Sequence, residues 1–302
     1  MANTKEIKKR IDSIKNIQKI TNAMYLIAST EMRKAKSRLD KTRPYFNALQ
    51  GEIKRALCEA GNAESRYFRP ADGASAPDGT CAVLVITADK GLAGAYNQNV
   101  IKAAQKLLTE HPDTKLFVVG KYGRQFFMQR HIPIEQDFLF TAQNPTMDRA
   151  REIGSVLLDL FDSGEVSEIY VVYTDLKNAV CEEVISTCLL PFYCDPSETS
   201  SEDKTAAMPF EFAPSAEAVL DNTISLYVSG FIYGALTDSF CSEQNARMTA
   251  MSSANDNAQK LLDDLSVQYN RIRQAAITQE ITEVSSGAKA QKRNHAKEVT
   301  SL

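Results

Sequence analysis

Apolar residues recur at both ends of the chain with alternating steps of three and four. At the N-terminus the series is Ile7, Ile11, Ile14, Gln18, Thr21, Tyr25, Ala28, Met32, Ala35 and Leu39. At the C-terminus it is Met248, Met251, Asn255, Ala258, Leu262, Leu265, Tyr269, Ile272, Ala276 and Gln279. A repeat of about 3.5 residues is the period of a left-handed coiled coil. A second partial stripe, Ile17, Ile20, Met24 and Ile27, makes the first helix apolar on more than one face. That arrangement suits a helix surrounded by partners. No proline or glycine interrupts before Pro44, and none but Gly230 and Gly234 weakens the helix between Pro214 and Gly287. The C-terminal helix is therefore expected to run on the order of 70 residues, against about 11 for an ordinary globular helix. A helix of that length needs a long partner, so the two ends are read as an antiparallel pair. The polar seam residues Gln18, Thr21, Asn255 and Gln279 set register or mark seam positions open to water.

Between the ends the period changes. Residues 81–87, 116–119 and 169–173 are continuous β-branched apolar runs, separated by helical patterns near 96–109, 121–130 and 147–162. Strands alternating with helices predict a Rossmann-like parallel sheet with helices on its faces. Residues 180–190 are read as a further strand, and 195–204, rich in Ser, Thr and acids, as a loop. The expected fold class is α/β with a long α-helical coiled coil. Its parts are an N-terminal coiled-coil helix at 1–58, an inserted α/β foot at 59–213, a C-terminal coiled-coil helix at 214–287 and a tail extension at 288–302.

Charge sharpens this picture. The net charge is -3, yet residues 1–43 hold twelve Lys/Arg against four acids. A basic arm of this kind points to an acidic partner. Candidate chemistry is sparse. The glycine-bearing turn after the first strand, residues 87–97, has neither Gly-x-x-x-x-Gly-Lys-Ser/Thr nor Gly-x-Gly-x-x-Gly, so a tight turn is the better reading than a phosphate cradle. His-Glu-x-x-His and Gly-x-Ser-x-Gly are absent. Asp175, with no His or Arg near it in sequence, is read as a loop cap. The six cysteines form no Cys-x-x-Cys pair, and His111, His131 and His295 do not cluster with them along the chain. No metal site and no cofactor are expected. No stretch approaches the roughly 20 apolar residues needed to span a bilayer. The arm's one aromatic before Tyr45 is the seam residue Tyr25, which argues against nucleic acid as the acidic partner.

Two C-terminal segments carry a resemblance: residues 242–251, Ser-Glu-Gln-Asn-Ala-Arg-Met-Thr-Ala-Met, and residues 269–280, Tyr-Asn-Arg-Ile-Arg-Gln-Ala-Ala-Ile-Thr-Gln-Glu. Together with residues 11–24 and the turn Asp89-Lys90-Gly91-Leu92-Ala93-Gly94, they resemble the gamma subunit of rotary F-type ATP synthases of the bacterial type. The resemblance implies a non-catalytic central stalk that couples ion flow to ATP chemistry on beta by rotation. Its implied partners are the alpha and beta subunits, the epsilon subunit and the ring of c subunits. Its implied place is peripheral, on the cytoplasmic face of the cell membrane. Residue by residue, Met24, Arg247, Arg273 and Gln274 fall on positions expected to touch beta. Three departures stand out: Thr30-Glu31 for the usual Ser-Lys, Ala93 for the usual Cys, and the tail beyond Gly287.

Overall fold

The computed structural model describes residues 2–60, 67–70, 79–178, 181–194 and 216–300. Helix α1 spans Ala2–Ala60 and α5 spans Ala216–Thr300. Between them lie β1 (Phe68–Pro70), β2 (Cys81–Ile86), α2 (Tyr96–Glu110), β3 (Thr114–Val119), α3 (Lys121–Gln129), α4 (Met147–Asp162), β4 (Glu168–Asn178), β5 (Cys181–Leu190) and β6 (Phe192–Cys194). The expected loop at 195–204 lies outside the described residues. Helix α5 continues through the tail beyond Gly287 to Thr300. Among the described residues no helix is long and apolar enough to cross a membrane. The chain divides into two compact units, Met1–Leu26 with Ala250–Leu302, and Ile27–Thr249.

The first unit is a helix pair. Its seam shows the expected period: Ile7, Met251, Ala258 and Leu262 are buried, while Ile11, Ile14, Leu265, Tyr269, Ile272 and Ala276 are partly buried. Gln279, placed on the seam by its spacing, is exposed. Two polar rungs cross the pair. The Gln18 amide donates to Gln259 Oε1 at 3.2 Å, and the Thr21 hydroxyl donates to Asn255 Oδ1. The sums of these residue numbers are nearly equal, as antiparallel pairing requires. A register slip would set these amides and hydroxyls against Ile and Leu side chains, so the rungs fix the register.

The second unit is a sheet of order β3-β2-β4-β5 between two helical layers. Strand β2 pairs in parallel with β3 and β4 and is buried along its whole length. Its alternate residues serve opposite cores. Ala82, Leu84 and Ile86 pack with Ala150, Ile153 and Leu157 of α4 and with Ile224, Val228 and Ile232 of α5. Val83 and Val85 pack with Val100, Ile101 and Ala104 of α2 and with Phe127 of α3. Helix α4 is started by Thr146, whose hydroxyl accepts from the Arg149 N–H at 3.3 Å.

Two features depart from the all-parallel expectation. Strand β5 runs antiparallel to β4, with Asn178 opposite Cys181. Two residues between strands are too few for a parallel crossover, which leaves only the antiparallel direction. A separate two-stranded parallel ribbon joins β1 to β6. Gly230, a weak point in the helical reading, has a packing reason: a Cβ there would lie 2.1 Å from Phe46 Cε1.

Candidate functional site

The glycine-bearing turn after β2 is organised by its own acid. The Asp89 carboxylate accepts from the backbone N–H of Lys121 at 3.0 Å, of Ala142 at 3.0 Å and of Gln143 at 3.1 Å. Lys121 opens α3, so the anion-attracting end of that helix is filled by an internal carboxylate. Asn97 Oδ1 accepts from the Ala88 N–H at 2.9 Å. These bonds make the segment a connector rather than a phosphate cradle.

Helix α5 meets this turn through residues 242–247. The Arg247 guanidinium pairs with Glu243 at 2.6 Å and donates to the Gly91 carbonyl at 3.1 Å. The side chains of Arg247 and Glu243 are only 11% and 3% exposed. Burial pushes the Glu243 carboxyl up from its usual range, and Arg247 pulls it partly back. The Tyr96 hydroxyl, buried beside Glu243, is pushed up by burial first and by that carboxylate second. The Asn245 amide donates to Glu182 of β5 at 2.7 Å. The recognisable segment of residues 242–247 thus lies where α5 packs on the sheet layer.

A second charged cluster was not legible in the sequence. Arg43 of α1 pairs with Asp238 of α5 at 2.9 Å and with Asp175 at 3.3 Å. Asp175 lies within β4 and serves this ion pair, which corrects its reading as a loop cap. The groups face a cavity of about 220 Å³ that Tyr173 and Phe46 also line. Burial raises the Asp238 carboxyl to about 6 against the counter-pull of Arg43. The folded chain therefore binds a proton at Asp238 as pH falls through about 6, whereas the unfolded chain does so only near 4. The protonated group favours the fold; that contribution is fully present below about 4 and is lost as pH rises through about 6. We expect Asp238→Asn to flatten the pH dependence of the melting temperature between about 4 and 6, relative to the parent. Parallel curves for the two proteins would refute the assignment.

The other residues singled out from the sequence lie on the long helices. Met24 is half-buried, and Arg273 and Gln274 are exposed. Ile17, Ile20 and Ile27 of the second stripe are 52%, 60% and 63% exposed, so this stripe is not consumed by the helix pair. Glu31, the reversed charge, pairs with Lys34 at 2.9 Å. Ala93 is buried.

Two chain ends paired as helices, with an α/β layer domain inserted between them along the chain, are the features of a stalk class of protein. A family model described as ATP synthase matches residues 3–291. The gamma chain of Caldanaerobacter subterraneus subsp. tengcongensis is 39% identical, over 94% of this chain and 98% of its own length. That of Acetivibrio thermocellus is also 39% identical, over 97% and 100%. A gamma chain of Acetobacterium woodii described as sodium ion specific is 36% identical, over 95% and 98%. Among solved structures, a chain of the Tetrahymena thermophila mitochondrial ATP synthase central stalk and c-ring matches with TM-score 0.57 and 25% identity, over 78% of this chain and 99% of that one. A Euglena gracilis mitochondrial ATP synthase chain shares the fold, with TM-score 0.64 over 96% and 95% at 15% identity. The chain belongs to the ATP synthase gamma chain family, and its role is that of the central stalk.

Proposed function

We propose that this chain is the non-catalytic rotor shaft of a membrane-bound ATP synthase. The observation that carries the reading is the exposed apolar and cationic surface left on a helix pair whose seam is already filled. Ile17, Ile20 and Leu26 stand beside a basic arm, and Arg273 and Gln274 project from the other helix. Alpha and beta subunits would surround this pair. The foot would rest with the epsilon subunit on the c-ring, on the cytoplasmic face of the membrane. Ion flow through the ring would turn the shaft, and its uneven faces would drive each beta subunit between open and closed states.

Met24, Arg247, Arg273 and Gln274 are proposed to touch beta. Arg273 can present a forked set of donors and Gln274 an amide to a loop of beta. Arg247 already holds Glu243 and Gly91, so a contact with beta there would use its remaining donors. Exposed charge pairs are worth about 0–1 kcal/mol each, shallow enough for a contact that must slide.

The test is co-expression with alpha and beta subunits. One copy of this chain should enter each hexamer and raise its ATPase rate, and Arg273→Ala with Gln274→Ala should lower that rate several-fold with the chain still folded. A hexamer indifferent to the chain would overturn the rotor reading. Unchanged turnover in the double variant would remove those two residues from the contact set.

A further inference from the structure

Three potential metal ligands converge at the edge of the sheet where its parallel strands begin. Cys81 is the first residue of β2 and Glu168 the first of β4, and the strand register sets them side by side. His111 ends α2, and its connection is tied to the same edge because the Cys81 N–H donates to the Asp113 carbonyl at 3.0 Å. Cys81 Sγ lies 3.5 Å from His111 Nδ1 and 3.8 Å from Glu168 Oε2. One ligand atom from each of the three residues lies within 4.8 Å of the others. The cluster is not visible along the chain, because 30 residues separate Cys81 from His111 and 57 separate His111 from Glu168.

The spacing has a chemical meaning. Zinc bonds to sulfur at about 2.3 Å and to nitrogen or oxygen at about 2.0–2.1 Å, so tetrahedral angles put S and N, or S and O, about 3.5 Å apart. The two separations at Sγ, 3.5 and 3.8 Å, are close to two edges of that tetrahedron. The donor set is also suited to a borderline-soft divalent ion: one sulfur, one imidazole and one carboxylate. A thiolate and a carboxylate together balance a charge of two. An outer contact is in place as well. The Tyr170 hydroxyl donates to Glu168 Oε2 at 3.0 Å, and the Tyr170 ring lies 5.1 Å from the His111 ring. Such contacts hold ligands in orientation. Cys81 and Glu168 are buried while His111 is only half-buried, which leaves an approach from one side.

We propose that Cys81, His111 and Glu168 bind one zinc-like divalent ion, with water in the fourth position, clipping β2, β4 and the α2–β3 connection together. Binding exchanges the Cys81 thiol proton for the ion, and the proton leaves to solvent. The clip lies within the sheet domain and is independent of the shaft reading, so neither stands or falls with the other.

The test uses the full chain, stripped with a chelator and dialysed, with Co(II) as the spectroscopic probe. We expect near-ultraviolet thiolate-to-Co(II) absorption that saturates at one ion per chain and is displaced by Zn(II). Cys81→Ser should abolish the absorption, and His111→Ala should weaken binding by at least about tenfold. Zn(II) should raise the melting temperature of the parent by more than that of His111→Ala, and should leave that of Cys81→Ser unchanged. His111 is half-buried, so His111→Ala should fold and carries the test if Cys81→Ser does not. Absence of saturable binding would show a hydrogen-bonded trio and nothing more. Absorption that survives both substitutions would assign the ion to other cysteines. Either result overturns the proposal.

Discussion

Arg247→Ala is expected to cost the fold about 3 kcal/mol, because it strands a buried carboxylate. Glu243 is 3% exposed and its neighbours include the Tyr96 ring and the Asp89 turn, so little water can reach a lone charge there. Only Arg247 offsets the desolvation strongly, with a 2.6 Å contact. Adding Glu243→Gln should recover most of the loss, since an amide is far cheaper to bury than an unpaired ion. Denaturant unfolding of the full chain measures both. A loss under about 1 kcal/mol in the single variant would mean that the pair is not structurally important. The double variant also separates two roles. If Arg247 serves only the packing of α5, the folded double variant should stimulate the hexamer fully. If it also touches beta, stimulation should fall although the fold is intact.

Gly120→Ala should be worse still. Gly120 follows β3 with φ at 95°, where side chains are strained, and it is the residue just before α3. A Cβ would lie 2.2 Å from the Thr87 carbonyl oxygen and 2.8 Å from its carbon. That oxygen belongs to backbone pinned close by: the Thr87 N–H donates to the Val119 carbonyl of β3, and the Gly120 N–H donates to the Phe140 carbonyl. It cannot rotate aside as a side chain could. Backbone strain of about 1–3 kcal/mol and an overpacking cost of similar size should add to about 3 kcal/mol or more. The expected outcome is loss of soluble chain, or a steep fall in the denaturation midpoint. A variant that folds with a midpoint near that of the parent would show the turn to be far more pliable than its contacts indicate.

These two sites also mark what the sequence could and could not convey. The helix pair was legible because its seam repeats for many turns; nearly every residue on the two series is buried or half-buried. The inner strands were legible because a strand covered on both faces has a long apolar run, as β2 does. The direction of β5 was available too, in the two-residue gap after Asn178, but an apolar run alone carries no direction. Arg247 was harder. From Ala235 to Asn245 helix α5 is buried on every side, so no face of it is marked by period and its charges cannot be assigned inward or outward from spacing. The Arg43–Asp175–Asp238 cluster joins residues 132 and 195 positions apart, which only the packing of α1 and α5 on the sheet layer can bring together.

The uncovered stripe on the helix pair has a consequence for the life of the chain before assembly. Ile17, Ile20 and Leu26 on one helix, with Ile277, Ile281 and Val284 on the other, are each about half or more exposed. Scattered single apolar residues are harmless, but repeated ones on a smooth helical surface favour self-association and capture by chaperones. An unassembled copy should therefore be short-lived or aggregate, and its abundance in the cell should follow the supply of the subunits proposed to cover it.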